Sequence, residues 1–185
     1  MHMSEVLREQ LDRFRKTVGD DPQGLEILET GTIRQDTPEH RAGDGWSTLT
    51  FAEYVAQYGG HVTSIDLHTE TAARVLTREG VADHVTLRQG YSIEWMASML
   101  SAGQRFDVIL LDSENDATLI LHEYMLAQKL LRRPGLILVD DVVPGSTAVV
   151  KGMRLVPWLE SHGTKYQITP RSGGGVHSGV LSAIL

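Results

Sequence analysis

The sequence has no cysteine, which excludes disulfides, thiolate metal sites, iron–sulfur clusters and cysteine nucleophiles together. Any bound metal must use oxygen or nitrogen ligands. Positive charge is also scarce, with 17 Lys and Arg against 24 Asp and Glu, a formal net charge of -7. A chain this acidic gains little from phosphate backbones or anionic lipid, so neither nucleic acid nor a membrane surface is an expected partner. Long apolar runs are missing. Val108 to Leu111 and Leu136 to Val139 are four residues each, against the ~20 a membrane-crossing helix needs. Met1 to Gln10 lack the apolar core of a secretory leader, so a cytoplasmic protein is expected. What the chain does have is 41% hydrophobic and 22% charged residues over 185 positions, the balance of one folded domain.

Apolar periodicity divides the chain into alternating elements. Leu7, Leu11, Phe14 and Val18 fall on one face of a helix from Ser4 to Val18, a lead-in segment over residues 1–24. The remainder, 25–185, reads as one binding domain. Strands are expected at Leu25–Thr30, His61–Leu67, Val85–Gln89, Phe106–Asp112 and Gly135–Asp141. Helices are expected at Ser47–Tyr58, Thr69–Glu79, Ser92–Leu100, Thr118–Leu131 and around Ala148–Ser161, with Thr50 and Glu53 as a capping-box pair in the first. A long polar loop joins Gly31 to Trp46. Runs such as Val-Ile-Leu-Leu, without polar alternation, belong to strands covered by helices on both faces of a parallel sheet. Lys165–Pro170 and Gly179–Leu185 are separated by too few residues for a crossover helix, so they should form an antiparallel hairpin. The expected fold is α/β: a doubly wound, Rossmann-like, seven-stranded sheet, mostly parallel, with a C-terminal antiparallel hairpin.

Ligands bind beyond the carboxyl ends of strands in such sheets. Those ends read Glu29-Thr30-Gly31, Asp66, Gly90-Tyr91-Ser92, Asp112-Ser113-Glu114 and Asp140-Asp141. Four of the five carry a carboxylate, and the chain lacks both G-x-x-x-x-G-K-[ST] and an intact G-x-G-x-x-G after its first strand. Acidic ends suit hydroxyl donors and a cationic neighbour better than a pyrophosphate. A ribose beside a sulfonium, as in S-adenosylmethionine, has that character.

These segments resemble the class I S-adenosylmethionine-dependent methyltransferases, in the small catechol O-methyltransferase-like branch, over roughly Leu25 to Leu185. Leu28-Glu29-Thr30-Gly31-Thr32 is similar to the family's first motif, continued by Gly43-Asp44-Gly45-Trp46-Ser47-Thr48 after an insertion-like stretch from Ile33 to Ala42. Ser64-Ile65-Asp66-Leu67 resembles the second motif, and Gln89-Gly90-Tyr91-Ser92 the segment bordering adenine. The resemblance implies that Glu29, Thr30, Gly31, Thr32, Gly45, Ser47, Asp66, Leu67, Gly90, Tyr91, Ser92 and Asp112 hold the cofactor. It also implies a divalent cation such as Mg²⁺ on Asp112, Asp140 and Asp141, where the branch has Asp, Asp and Asn. A cation of this kind lowers the pKa of an acceptor hydroxyl.

In the family a lysine three residues beyond the first metal aspartate serves as base; this chain has Asn115. Asp112 and His122 are then the catalytic candidates, with Glu114 an alternative, because an imidazole suits proton transfer near neutral pH. The expected activity is O-methyl transfer to a small-molecule acceptor, and a homo-oligomer is an open possibility. Two alternatives stand beside it: an NAD(P)-dependent reductase on a similar sheet, and an inactive S-adenosylmethionine-binding protein.

Overall fold

The computed structural model describes residues 1–19, 24–44, 46–171 and 178–185. Seven strands form one sheet in the order β3-β2-β1-β4-β5-β7-β6. They are β1 (Leu25–Thr30), β2 (Gly60–Asp66), β3 (Val85–Gln89), β4 (Phe106–Leu111), β5 (Leu131–Val139), β6 (Gln167–Arg171) and β7 (Ser178–Ile184). The first five pair in parallel, while β7 runs antiparallel to both β5 and β6. The expected Rossmann-like sheet and closing hairpin are both present.

Alternation along the central strands sends successive side chains to opposite faces. Leu28, Ile109, Leu111, Ile137 and Val139 enter one core with Met96, Ile120, Tyr124, Leu155 and Leu159. These come from α5 (Ser92–Ser101), α6 (Ala117–Leu130) and α7 (Gly152–Ser161). Ile27, Val108, Leu110, Leu136 and Leu138 face the other way, against Leu7, Leu11, Phe14, Phe51 and Tyr54. That second layer is α1 (Met3–Val18) and α3 (Ser47–Tyr58), with α4 (Glu70–Arg78) extending it through Ala72, Val75 and Leu76. The lead-in helix α1 therefore belongs to the packed core.

Several boundaries differ from the expected ones for local reasons. The polar loop carries a short helix, α2 (Pro38–Asp44), in which Glu39 occupies the first turn and suits the positive end of the helix dipole. Helix α3 starts at Ser47 after Trp46 in the left-handed region (φ 43), so Thr50 and Glu53 lie inside it and form no capping box. Thr50 instead donates its amide to Trp46 O, and Glu53 pairs with Arg8. Strand β5 begins at Leu131 rather than Gly135, because Leu131 already pairs with Phe106 before the register shifts. Residues 132–134 are exposed there, so Pro134 costs no buried ladder bond. Helix α7 starts at Gly152, four residues later than the spacing around Ala148 predicts.

Register decides where function sits. Thr30 pairs with Ile65 on one side and Leu111 on the other, and Leu111 pairs with Val139. The next residue on each strand, Gly31, Asp66, Asp112 and Asp140, is therefore brought to one edge of the sheet. Strand order reverses between β1 and β4 at this edge, which opens a crevice between the loops.

Candidate active site

The crevice is a cleft of about 520 Å³ whose walls include Gly31, Arg34, Asp66, Leu67, Gly90, Tyr91, Ser92 and Ser113. Gly31 makes it possible. Its φ is +91°, and a Cβ there would lie 2.4 Å from the Asp112 carbonyl oxygen, so only glycine lets β1 turn this close to β4. Asp66 closes one side: its carboxylate accepts the amides of Thr32 (Oδ2, 3.0 Å) and His68 (Oδ1, 3.0 Å). Two amides leave lone pairs over for a ligand hydroxyl. Leu67 and Tyr91, 48% and 66% exposed, flank Asp66 with apolar surface of the kind a flat aromatic base covers. Arg34, from the insertion-like stretch, crosses the cleft and donates to Ser113 O at 3.0 Å.

Other expected contacts lie behind this wall. Glu29 is fully buried and accepts hydroxyls from Ser47 (Oγ, 2.5 Å), Thr48 (Oγ1, 2.6 Å) and Ser64 (Oγ, 2.7 Å). Burial pushes its carboxyl up to about 7, against the three donors, which pull it down. Glu29 and Ser47 thus brace the first-motif turn from beneath. Thr30 is buried too, donating to Glu123 Oε2 at 3.2 Å and accepting the Asp112 amide at 3.2 Å. Thr32 is buried with its hydroxyl 2.9 Å from that of Thr48. Gly45 lies outside the described residues. His122 is exposed on α6 and does not line the cleft, whereas its neighbour Glu123 turns inward. Burial raises the Glu123 carboxyl, and nothing in the local pattern of α6 marks it as a partner of β1.

Beyond the cleft, Asp112, Asp140 and Asp141 place carboxylate oxygens within 4.8 Å of one another. The sequence-based grouping of these three is thus realised in space. Two cations missed by sequence reasoning meet them. Lys151 Nζ lies 2.5 Å from Asp112 Oδ1 and 4.0 Å from Asp141 Oδ2. Arg171, at the end of β6, donates Nε to Asp140 Oδ1 and Nη2 to Asp141 Oδ1, both at 2.9 Å. Burial alone would lower the Lys151 pKa, but the three carboxylates, Asp112 foremost, hold it above the ordinary lysine value. Burial and the neighbouring Asp112 and Asp141 push Asp140 up to about 7 against Arg171 and Lys151. A divalent cation would need these oxygens as its own ligands. Each of the three carboxylates already faces a buried ammonium or guanidinium, so the set as arranged does not fit a metal ion. Lys151 is 39 residues from Asp112 and Arg171 is 31 from Asp140, which is why no local motif flags these pairings.

With this geometry in place, the relatives are informative. A family model described as a methyltransferase domain matches residues 41–142. Catechol O-methyltransferase of Mycobacterium tuberculosis is 30% identical over 125 residues, 66% of this chain and 50% of that protein, so the chain spans about half its relative's length. The O-methyltransferase from Bacillus cereus in complex with SAH superposes with TM-score 0.70 at 21% identity, over 96% of this chain and 81% of that one. The O-methyltransferase TomG from Streptomyces achromogenes in complex with SAM gives TM-score 0.67 at 22% identity, over 95% and 79%. No helix among the described residues is long and apolar enough to cross a membrane. The seven-stranded sheet with its closing hairpin, the glycine turn into an acid-edged crevice and the match over more than half its length agree: the chain belongs to the methyltransferase-domain family.

Proposed function

We propose that the chain is an S-adenosylmethionine-dependent O-methyltransferase acting on a small hydroxylated acceptor. The observation that carries this reading is the crevice wall, where the Asp66 carboxylate, the exposed Leu67 and Tyr91 and the Gly31 turn line one cleft. When bound, the cofactor would supply an electrophilic sulfonium methyl, which the acceptor oxygen would take in one in-line step with S-adenosylhomocysteine as the leaving group, the C–S bond breaking as the C–O bond forms. Asp66 accepts the ribose hydroxyls, and Tyr91 and Leu67 cover the adenine. Gly31 admits the ligand backbone-close, and Arg34 offers a guanidinium to the amino-acid carboxylate. Asp112 and Asp141, partly buried at the strand ends next to the cleft-lining Ser113, are the carboxylates offered to the acceptor hydroxyl and to the proton it gives up. Holding both reactants in line removes the entropic cost of bringing them together.

Titration calorimetry with S-adenosylhomocysteine tests the reading. Wild type should bind saturably. Asp66→Ala removes a charged acceptor of hydroxyl bonds, a loss of about 1.5–3 kcal/mol, and should weaken binding roughly 10- to 100-fold. Unchanged affinity in that variant would refute the ribose assignment, and no binding by wild type would refute the function. Binding without methylated product across a panel of phenols and alcohols would instead mark an inactive cofactor-binding protein.

A further inference from the structure

The catechol O-methyltransferase-like branch is expected to use a metal at the acidic cluster, and the residues found there argue for a different device. Three carboxylates meet two side-chain cations that are themselves buried, Lys151 at 3% exposure and Arg171 at 8%. A divalent ion entering beside them would raise the local positive charge to four against three carboxylates. Entering in their place, it would break the ion pairs that the buried Lys151 and Arg171 make with these aspartates, which is strongly unfavourable.

A second observation concerns Asn115, the position where the resemblance expects a lysine. Its side-chain amide is used at both ends: Nδ2 donates to Ala148 O at 3.0 Å, and Oδ1 accepts the Val150 amide at 2.9 Å. Asn115 therefore clips the segment that immediately precedes Lys151. The cation absent at 115 is delivered instead from the start of α7, and the residue at 115 fixes the backbone that delivers it.

Resting on the methyltransferase reading above, we infer that Lys151 and Arg171 replace the divalent cation, making transfer metal-independent, with Lys151 a positioning residue that orients Asp112 for the acceptor hydroxyl. This has a consequence for substrate class. A divalent ion chelates two adjacent oxygens, whereas carboxylates held by ammonium and guanidinium groups accept hydroxyls one at a time. A second hydroxyl adjacent to the reacting one therefore brings no chelation advantage to an acceptor.

Mn²⁺ titration of the full chain, followed by electron paramagnetic resonance, tests this without requiring activity. Wild type should bind no Mn²⁺ up to millimolar concentration, and EDTA should leave transfer unchanged. Lys151→Met should acquire Mn²⁺ binding and lower kcat at least 10-fold while leaving S-adenosylhomocysteine affinity within about 2-fold; Lys151→Arg should recover part of kcat. Should Lys151→Met fail to fold, Asn115→Ala loosens the same segment from the surface and should likewise admit Mn²⁺. Micromolar Mn²⁺ binding by wild type, or transfer abolished by EDTA and restored by Mg²⁺, would overturn the inference. Failure of both variants to bind Mn²⁺ would overturn Lys151 as the group that keeps the ion out. Loss of S-adenosylhomocysteine binding by wild type would sink the methyltransferase reading alone, since the Mn²⁺ titration still decides this one.

Discussion

Replacing Glu29 with Gln turns the buried brace under the first-motif turn into a measurement. The carboxyl is fully buried, and its pKa is raised from an ordinary 4.5 to about 7. A displacement of that size corresponds to about 3 kcal/mol between the two protonation states. The sign follows from linkage: the folded chain holds this proton more tightly than the unfolded one. Its contribution is complete below pH about 4.5, declines as pH rises and is gone above about 7, where the fold carries a buried carboxylate. Glutamine has no proton to lose, and two of the three hydroxyls it faces have other partners. Ser64 Oγ also reaches Gly31 O at 3.1 Å, and Thr48 Oγ1 lies 2.9 Å from Thr32 Oγ1. Urea unfolding of both proteins at pH 5 and pH 8 supplies the comparison. The stability of Glu29→Gln relative to wild type should rise by about 2.5 kcal/mol between those pH values. Contributions from other titrating groups cancel in the difference, including Asp140, which is also pushed up to about 7. A difference that stays flat across that range would refute the claim that burial dominates the three hydroxyl donors.

Two further outcomes probe the crevice itself. Gly31→Ala combines a left-handed backbone, costing ~1–2 kcal/mol, with a Cβ 2.4 Å from the Asp112 carbonyl. Its melting temperature should fall well below that of Gly80→Ala, a control with φ +75 and nothing within 4 Å; equal losses would contradict the close-approach argument. Tyr91→Ala removes a side chain that is 66% exposed, so stability should hold. Its S-adenosylhomocysteine affinity should fall by about 1–3 kcal/mol through lost stacking on adenine, as read by calorimetry.

Several residues that line the cleft are marked by their place in the sequence pattern. Gly31, Asp66, Gly90, Tyr91 and Ser92 follow strand ends, and in a parallel sheet strand ends are where ligands bind, so position in the pattern was enough to nominate them. Glu29, Thr30 and Ser47, nominated by the same logic, do not line the cleft and hydrogen-bond to their neighbours instead. A residue one or two positions before a strand end can point into the layer below, and depth along the side-chain direction is not written in the spacing. His122 looked chemically apt, but its place on α6 left it exposed while Glu123 took the inward face.

The amino-acid order by itself determined the architecture. Apolar runs bounded by glycine and proline fix which segments become covered strands, the short final connection forces a hairpin, and the missing cysteines limit the available ligands to oxygen and nitrogen. Only tertiary structure decided the charge at the reacting end. Asp112, Asp140 and Asp141 announce themselves as neighbours because two adjacent strands end there. Lys151 and Arg171 reach them from the start of α7 and from β6, the edge strand beyond β7. Electrostatic partnership depends on distance through space, and across 30 or more residues that distance is set by packing rather than by sequence spacing.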